Sequence, residues 1–171
     1  MLPFLAVTAA CFLFHDTAAA SAGNPTLDDL RALLKGGEYA QTETEARKFL
    51  ALQEKSASGD VKNRIEVLDI LVQSLWRGGK AKEPETDSLV QEELSLSRKE
   101  YGREDVLVAR SLNNLGNIYF RTGNLPGAQE AWEEALAIRR KALGPEHPDV
   151  ASSLNNLGVI LEGKGDYGGS L

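Results

Sequence analysis

The chain has 171 residues, of which 42% are hydrophobic and 26% charged, a balance typical of a folded globular chain or a few repeats. Its net charge of −6 argues against the basic surface with which proteins bind nucleic acid. The single cysteine, Cys11, and one of the two histidines, His15, lie close to the N terminus. We therefore expect no cysteine-based zinc site, no other metal and no cofactor in the remainder of the chain.

The N-terminal segment has the pattern of an export signal. Residues 1–14 carry no charged side chain, and a run of small residues follows them. This apolar stretch is too short for a stable membrane span but fits the hydrophobic region of a secretory signal. We predict a signal peptide over residues 1–22, cleaved after Ala20 or Ala22, and an exported protein that is periplasmic or secreted. Because no Lys or Arg precedes the apolar stretch, the alternatives are a buried N-terminal helix or a misassigned start, and an uncleaved chain is cytoplasmic.

The remainder of the chain is an internal repeat. Residues 108–116 read VARSLNNLG and residues 150–158 read VASSLNNLG, an offset of 42 residues. Turn glycines recur at nearly the same spacing, and each lies between two apolar segments; they are Gly37, Gly79, Gly123 and Gly165. Each unit is therefore predicted to be a helix, a turn at a glycine with positive φ, and a second helix. Because one short helix pair cannot bury its own apolar surface, the units must stack into a solenoid.

The period divides the chain into four units. We predict a divergent N-terminal unit with a short first helix, two complete units, and the first helix of a truncated fourth unit, over residues 25–56, 62–102, 106–144 and 148–171. In the third unit, the small residues Gly116 and Ala128 are expected to let the two helices approach closely. In the second unit, Val72 takes the place of this glycine.

The third unit resembles the tetratricopeptide repeat (TPR). The residues that carry the resemblance are Leu112, Leu115, Gly116, Tyr119, Gly123, Ala128, Trp132 and Ala135. The 42-residue period and the linkers that begin at Gly102 and Gly144 are similar to the repeat variety of kinesin light chains. The resemblance implies an all-α, right-handed superhelix of antiparallel helix pairs, whose first helices line a concave groove.

The resemblance also implies that this groove binds an extended peptide. Asparagine offers both an amide donor and a carbonyl acceptor to a peptide backbone, arginine binds carboxylates, and aromatic rings form apolar pockets. The candidate groove residues are Gln73, Trp76, Arg77, Arg110, Asn113, Asn114, Asn117, Arg121, Asn155 and Asn156. The alternative is that the asparagines are structural and bond to the neighbouring helix.

We predict from these features a non-enzymatic scaffold whose partner is a protein or peptide, with no nucleic acid and no stable membrane span. His147 lies in the linker between two prolines and has no evident catalytic partner, so no catalytic residue is expected. Two alternatives remain. The chain is the targeting or regulatory part of a larger enzyme, with a kinase or peptidase domain outside these residues, or it is a spacer that self-associates through its open C-terminal helix.

Overall fold

The computed structural model describes residues 23–55 and 60–163, with side chains as far as residue 160. The predicted signal peptide and Gly165 lie outside these residues. The described chain contains only helices, which are α1 (Leu27–Gly36), α2 (Tyr39–Lys55), α3 (Val61–Arg77), α4 (Pro84–Tyr101), α5 (Val106–Thr122), α6 (Leu125–Leu143) and α7 (Pro148–Gly163). As predicted, α1 is short, and the helices follow one another as antiparallel pairs.

The ends of the helices are set by local chemistry. The Asp60 and Asp105 side chains accept hydrogen bonds from the backbone N–H groups of the second residues of α3 and α5. His147 is the N-cap residue of α7 in the same way, and its Nδ1 accepts a hydrogen bond from the Asp149 backbone N–H at 3.1 Å. Gly37 and Gly123 end α1 and α5 with φ of 81° and 88°, a left-handed conformation that glycine adopts without strain.

The helices form two rows. The first helices of the pairs, α1, α3 and α5, pack side by side, while α2 and α4 each pack between two successive members of this row. In the same way, α6 packs between α5 and α7. The odd-numbered helices α1, α3 and α5 therefore share one surface of the solenoid, which we call the inner face.

The apolar core runs along the solenoid between the two rows. Val72, Val90 and Leu112 belong to a buried cluster that joins α3, α4, α5 and α6. α5 and α6 approach closely at Gly116, where a Cβ atom would lie 2.5 Å from Cδ1 of Trp132 on α6. Burying one large aliphatic side chain stabilises a fold by about 1.5–3 kcal/mol, and this buried cluster contains residues of two successive helix pairs, so each pair stabilises the other.

The last described helix is less completely covered than the others. Leu154 and Val159 of α7 remain 44% and 47% exposed. None of the helices within residues 23–55 and 60–163 has the length and apolarity that a membrane span requires.

Candidate functional site

Two adjoining hollows open on the inner face. The first, which we call the charged hollow, has a volume of about 390 Å³ and is lined by Arg31, Leu34, Lys35, Glu66, Asp69, Ile70, Gln73, Arg77 and Arg110. The second, which we call the aromatic hollow, has a volume of about 370 Å³ and is lined by Trp76, Asn117, Phe120, Arg121, Trp132, Asn156 and Val159. They meet at the C-terminal end of α3, where Trp76 and Arg77 are adjacent.

Much of the charge in the charged hollow is already paired. Arg31 forms ion pairs with Asp28 and Glu66, and its hydrogen bonds to Glu66 and then Asp28 raise its pKa further. Asp69 Oδ2 accepts a hydrogen bond from Gln73 Nε2 at 3.1 Å and lies 3.4 Å from Arg110 Nε. Of the three predicted groove residues in this hollow, Gln73 and Arg110 are therefore partly occupied by Asp69, and Arg77 is not.

The aromatic hollow is built around Trp76. The guanidinium groups of Arg77 and Arg121 lie over its ring, 5.1 and 5.0 Å from the centroid. Each such cation–π contact contributes about 0.5–1 kcal/mol at an exposed site. Phe120 is 36% exposed, and its ring centroid is 5.8 Å from that of Trp132. The hollow thus combines apolar walls with Arg121, and Arg77 lies next to it in the lining of the charged hollow. Neither arginine has a carboxylate partner among the described residues.

The paired asparagines have a structural role. Asn114 Nδ2 on α5 donates a hydrogen bond to Asp69 Oδ1 on α3 at 2.7 Å. The equivalent Asn156 on α7 donates to Asn113 Oδ1 on α5 at 3.0 Å. The second asparagine of each motif therefore bonds to the first helix of the preceding unit, which is the alternative that the sequence left open.

The prediction that Asn114 lines the peptide-binding groove is therefore wrong. Its side chain is 2% exposed and is enclosed between α3, α4 and α5, so it is not accessible to a peptide. Asn113 is half-buried and Asn155 is exposed, but neither belongs to the lining of the charged hollow or of the aromatic hollow. Asn117 and Asn156 do line the aromatic hollow.

Asn114 is also the centre of a buried polar cluster. Its Nδ2 lies 3.3 and 3.4 Å from the two carboxyl oxygens of Glu93, a residue of α4 that is 0% exposed. Burial, and then repulsion from the Asp69 carboxylate, raises the pKa of Glu93 to about 8. Burial likewise raises the pKa of Asp69, and the Arg110 charge opposes this increase.

Several residues of these sites are not among those predicted from the sequence. Arg31, Lys35 and Glu66 line the charged hollow, and Trp132 forms a wall of the aromatic hollow. Glu93 had a detectable signal, because it lies at helical spacing between the buried residues Val90, Leu94 and Ser97. A carboxylate on the apolar face of a helix is unusual enough to indicate a buried polar contact.

Nothing in the described residues indicates catalytic or metal chemistry. His147 serves as the N-cap of α7, as described above. In the part of the chain that the structure describes, no three His, Cys, Asp or Glu side chains converge closely enough to hold a metal ion.

Comparisons with known proteins agree with this architecture. Residues 107–170 match a family model described as tetratricopeptide repeat. No curated protein matches the chain in sequence. The crystal structure of BtubC (BKLC) from P. vanneervenii is 23% identical, with a TM-score of 0.68 over 81% of this chain and 54% of that one.

A second similar fold is that of a putative kinesin light chain with nearly identical TPR-like repeats from Podosopora anserina. It is 21% identical, with a TM-score of 0.71 over 82% of this chain and 65% of that one. A crystal structure of a single-substitution variant of that protein is also 21% identical, with a TM-score of 0.70 over the same shares. The chain thus spans 54% to 65% of the length of these structures, and the matches confirm the predicted all-α superhelix of helix pairs.

Proposed function

We propose that this chain, which is built of tetratricopeptide repeats, binds an extended segment of a partner protein along its inner face. Its fold is that of kinesin light chain-like repeat proteins. The repeat fold is that of a protein–protein interaction scaffold. The observation that carries the finer proposal is the pair of adjoining hollows that share the end of α3. Together they offer a continuous polar and aromatic surface of the kind that an extended peptide fits.

The side chains at the aromatic hollow suit such a ligand. The amide of Asn117 has no hydrogen-bond partner among the described residues and lines the hollow, so it can pair with a peptide backbone. Arg77 and Arg121, whose guanidinium groups both lie over the Trp76 ring, can donate charge-assisted hydrogen bonds to acidic side chains or to a terminal carboxylate. Trp76 and Phe120 provide the apolar surface against which a ligand side chain can pack.

The groove predicts a specific pattern of mutational effects. Peptides selected from a random dodecamer library on the wild-type protein should bind Asn117→Ala about tenfold more weakly, the cost of one lost hydrogen bond. Arg121→Glu should weaken them at least as much, because it removes a donor and introduces the opposite charge. Fluorescence anisotropy measures the Kd of each peptide.

Arg140→Glu is the matched control, because Arg140 is an exposed arginine on the outer helix α6. Its Kd values should remain within about twofold of the wild type, since small surface changes away from the site have little effect. Circular dichroism confirms that each variant is folded. Failure to select any peptide, or equal affinity of the Arg121 and Arg140 variants, would contradict binding in the groove.

We also propose that the chain is exported after removal of residues 1–22. The support is the uncharged apolar stretch at the N terminus and the small residues that follow it. The intact mass of the protein from its natural source should correspond to a chain that begins at Ser21 or Gly23. A mature protein that retains Met1 would contradict export and return the chain to the cytoplasm.

A further inference from the structure

Asp69, Glu93 and Asn114 form a buried polar cluster against which Arg110 packs, and we call these four residues the carboxyl junction. Asp69 and Arg110 also border the charged hollow, whereas Glu93 and Asn114 line neither hollow. The carboxyl junction joins α3, α4 and α5, and so connects the second helix pair to the third. We propose that the carboxyl junction is a proton-linked joint, which packs with a proton on the Glu93 carboxyl and loosens when that proton is lost.

The geometry requires the two carboxyl groups to share their partners. Asn114 Nδ2 is 2.7 Å from Asp69 Oδ1 and 3.3 Å from Glu93 Oε2, so one amide nitrogen serves both. Asp69 is 3% exposed and Glu93 0%. Two carboxylates that lie on the same amide nitrogen, with at most 3% of either residue exposed, cannot both be ionised without a large electrostatic cost.

The surrounding charges do not remove this cost. The α3 helix contributes a second carboxylate, Glu66, and the end of α4 contributes Tyr101, both of which interact electrostatically with the cluster. The only cation facing it from α3, α4 or α5 among the described residues is Arg110, which lies against Asp69. Arg110 therefore favours the ionised form of Asp69, while Glu93 has only neutral hydrogen-bond partners and retains the proton.

Burial, and then Asp69, raises the pKa of Glu93 to about 8, which agrees with a proton held on Glu93 at neutral pH. The unfolded chain loses this proton near the ordinary carboxyl pKa of 4.5, whereas the folded chain keeps it to about pH 8. Between these values the folded state binds more protons than the unfolded state, so stability falls as pH rises. The contribution is complete below pH 4.5 and is lost above pH 8.

Other carboxylates act in the opposite direction and at lower pH. A hydrogen bond from Thr26 lowers the pKa of Asp29, and one from Arg47 lowers that of Glu85. The stability that these pairs contribute is lost as pH falls below their ordinary pKa values, so it does not change above about pH 6. A loss of stability between about pH 6 and 8 therefore reports the carboxyl junction.

The test is urea unfolding of the full chain at intervals from pH 5 to pH 9. The wild-type folding equilibrium constant should fall by up to about tenfold per pH unit between pH 5 and 8, and then level off. Glu93→Gln, which resembles the protonated side chain in shape and hydrogen bonding, should show little of this dependence. Glu130→Gln, which removes an exposed carboxylate on α6, should keep it. A wild-type stability that does not change from pH 6 to 8, or a Glu93→Gln variant with the wild-type slope, would overturn the proposal.

A second measurement does not depend on the variant's ability to fold. The ¹³C resonance of the Glu93 side-chain carboxyl in the wild-type protein should titrate with a midpoint near pH 8. A midpoint in the ordinary range of glutamate, near pH 4.5, would show that the junction binds no proton at neutral pH and would overturn the proposal.

Discussion

Replacing Gly116 by alanine is expected to destabilise the protein by about 1–3 kcal/mol, although glycine to alanine in a helix interior normally stabilises it. The added Cβ would lie 2.5 Å from Cδ1 and 2.8 Å from Cε2 of Trp132, distances that no packed structure allows. Trp132 borders the aromatic hollow but is only 2% exposed, so a shift of its ring would disturb the side chains packed around it. The glycine of the third unit is therefore required by the close packing of α5 on α6.

Gly158 is the matched control for this substitution. It lies 42 residues after Gly116 at the equivalent place on α7, and a Cβ there would meet nothing within 4 Å. Gly158→Ala should therefore stabilise the protein by up to about 1 kcal/mol, the ordinary gain in helix propensity.

Urea unfolding of the two glycine variants should give shifts of opposite sign. In a Trp132→Leu background, the cost of Gly116→Ala should be smaller, because the clashing ring is absent, and a double-mutant cycle measures this coupling. Shifts of the same sign at both glycines would contradict the packing argument.

Replacing Asn114 by alanine is expected to lower the free energy of unfolding by about 3 kcal/mol, the upper end of the range for a buried hydrogen bond with a charged partner. The change removes the shortest hydrogen bond to Asp69 and the amide next to Glu93, and it leaves both groups in a site that water does not reach. An unsatisfied buried carboxyl group costs more than the hydrogen bond itself contributes.

Asn156→Ala provides the comparison at the equivalent position of the next unit. Its hydrogen bond goes to the neutral side chain of Asn113, and Asn156 is only half-buried, so water can replace the lost partner. We expect a loss of about 1 kcal/mol, the typical net value of one hydrogen bond. Unfolding in urea at pH 7 measures both variants, and equal losses at the two positions would contradict a special role for the buried carboxyl groups.

The two asparagines of one motif also illustrate which assignments depend on the packing of neighbouring units. Asn113 and Asn114 are adjacent in sequence, so their side chains leave the helix about 100° apart. The repeat pattern places both near the inner face. Only the packing of the neighbouring helices decides that Asn114 is buried against α3 and that Asn113 accepts a hydrogen bond from α7 of the following unit. Because both residues are asparagines, the sequence does not show which of the two side chains the neighbouring helix buries.

The residue pattern is sufficient to predict the helix–turn–helix units, their solenoid stacking, the positive-φ glycines at the turns and the close approach at Gly116. These features depend on spacing along one chain segment: apolar residues at helical intervals, a residue without Cβ where φ is positive, and a repeat length that is nearly constant from unit to unit. For the same reason, residues 23–55 and 60–163 contain the helices that the pattern predicts.

The roles of Glu93 and Asn114, and the difference between Gly116 and Gly158, follow instead from the way the helices pack against one another. Their surroundings are set by side chains that lie on other helices, many residues away in sequence. Their burial, pKa and tolerance to substitution depend on the surface that a neighbouring helix presents. The same motif can therefore be buried against neighbouring side chains in one unit of this solenoid and be partly exposed in the next.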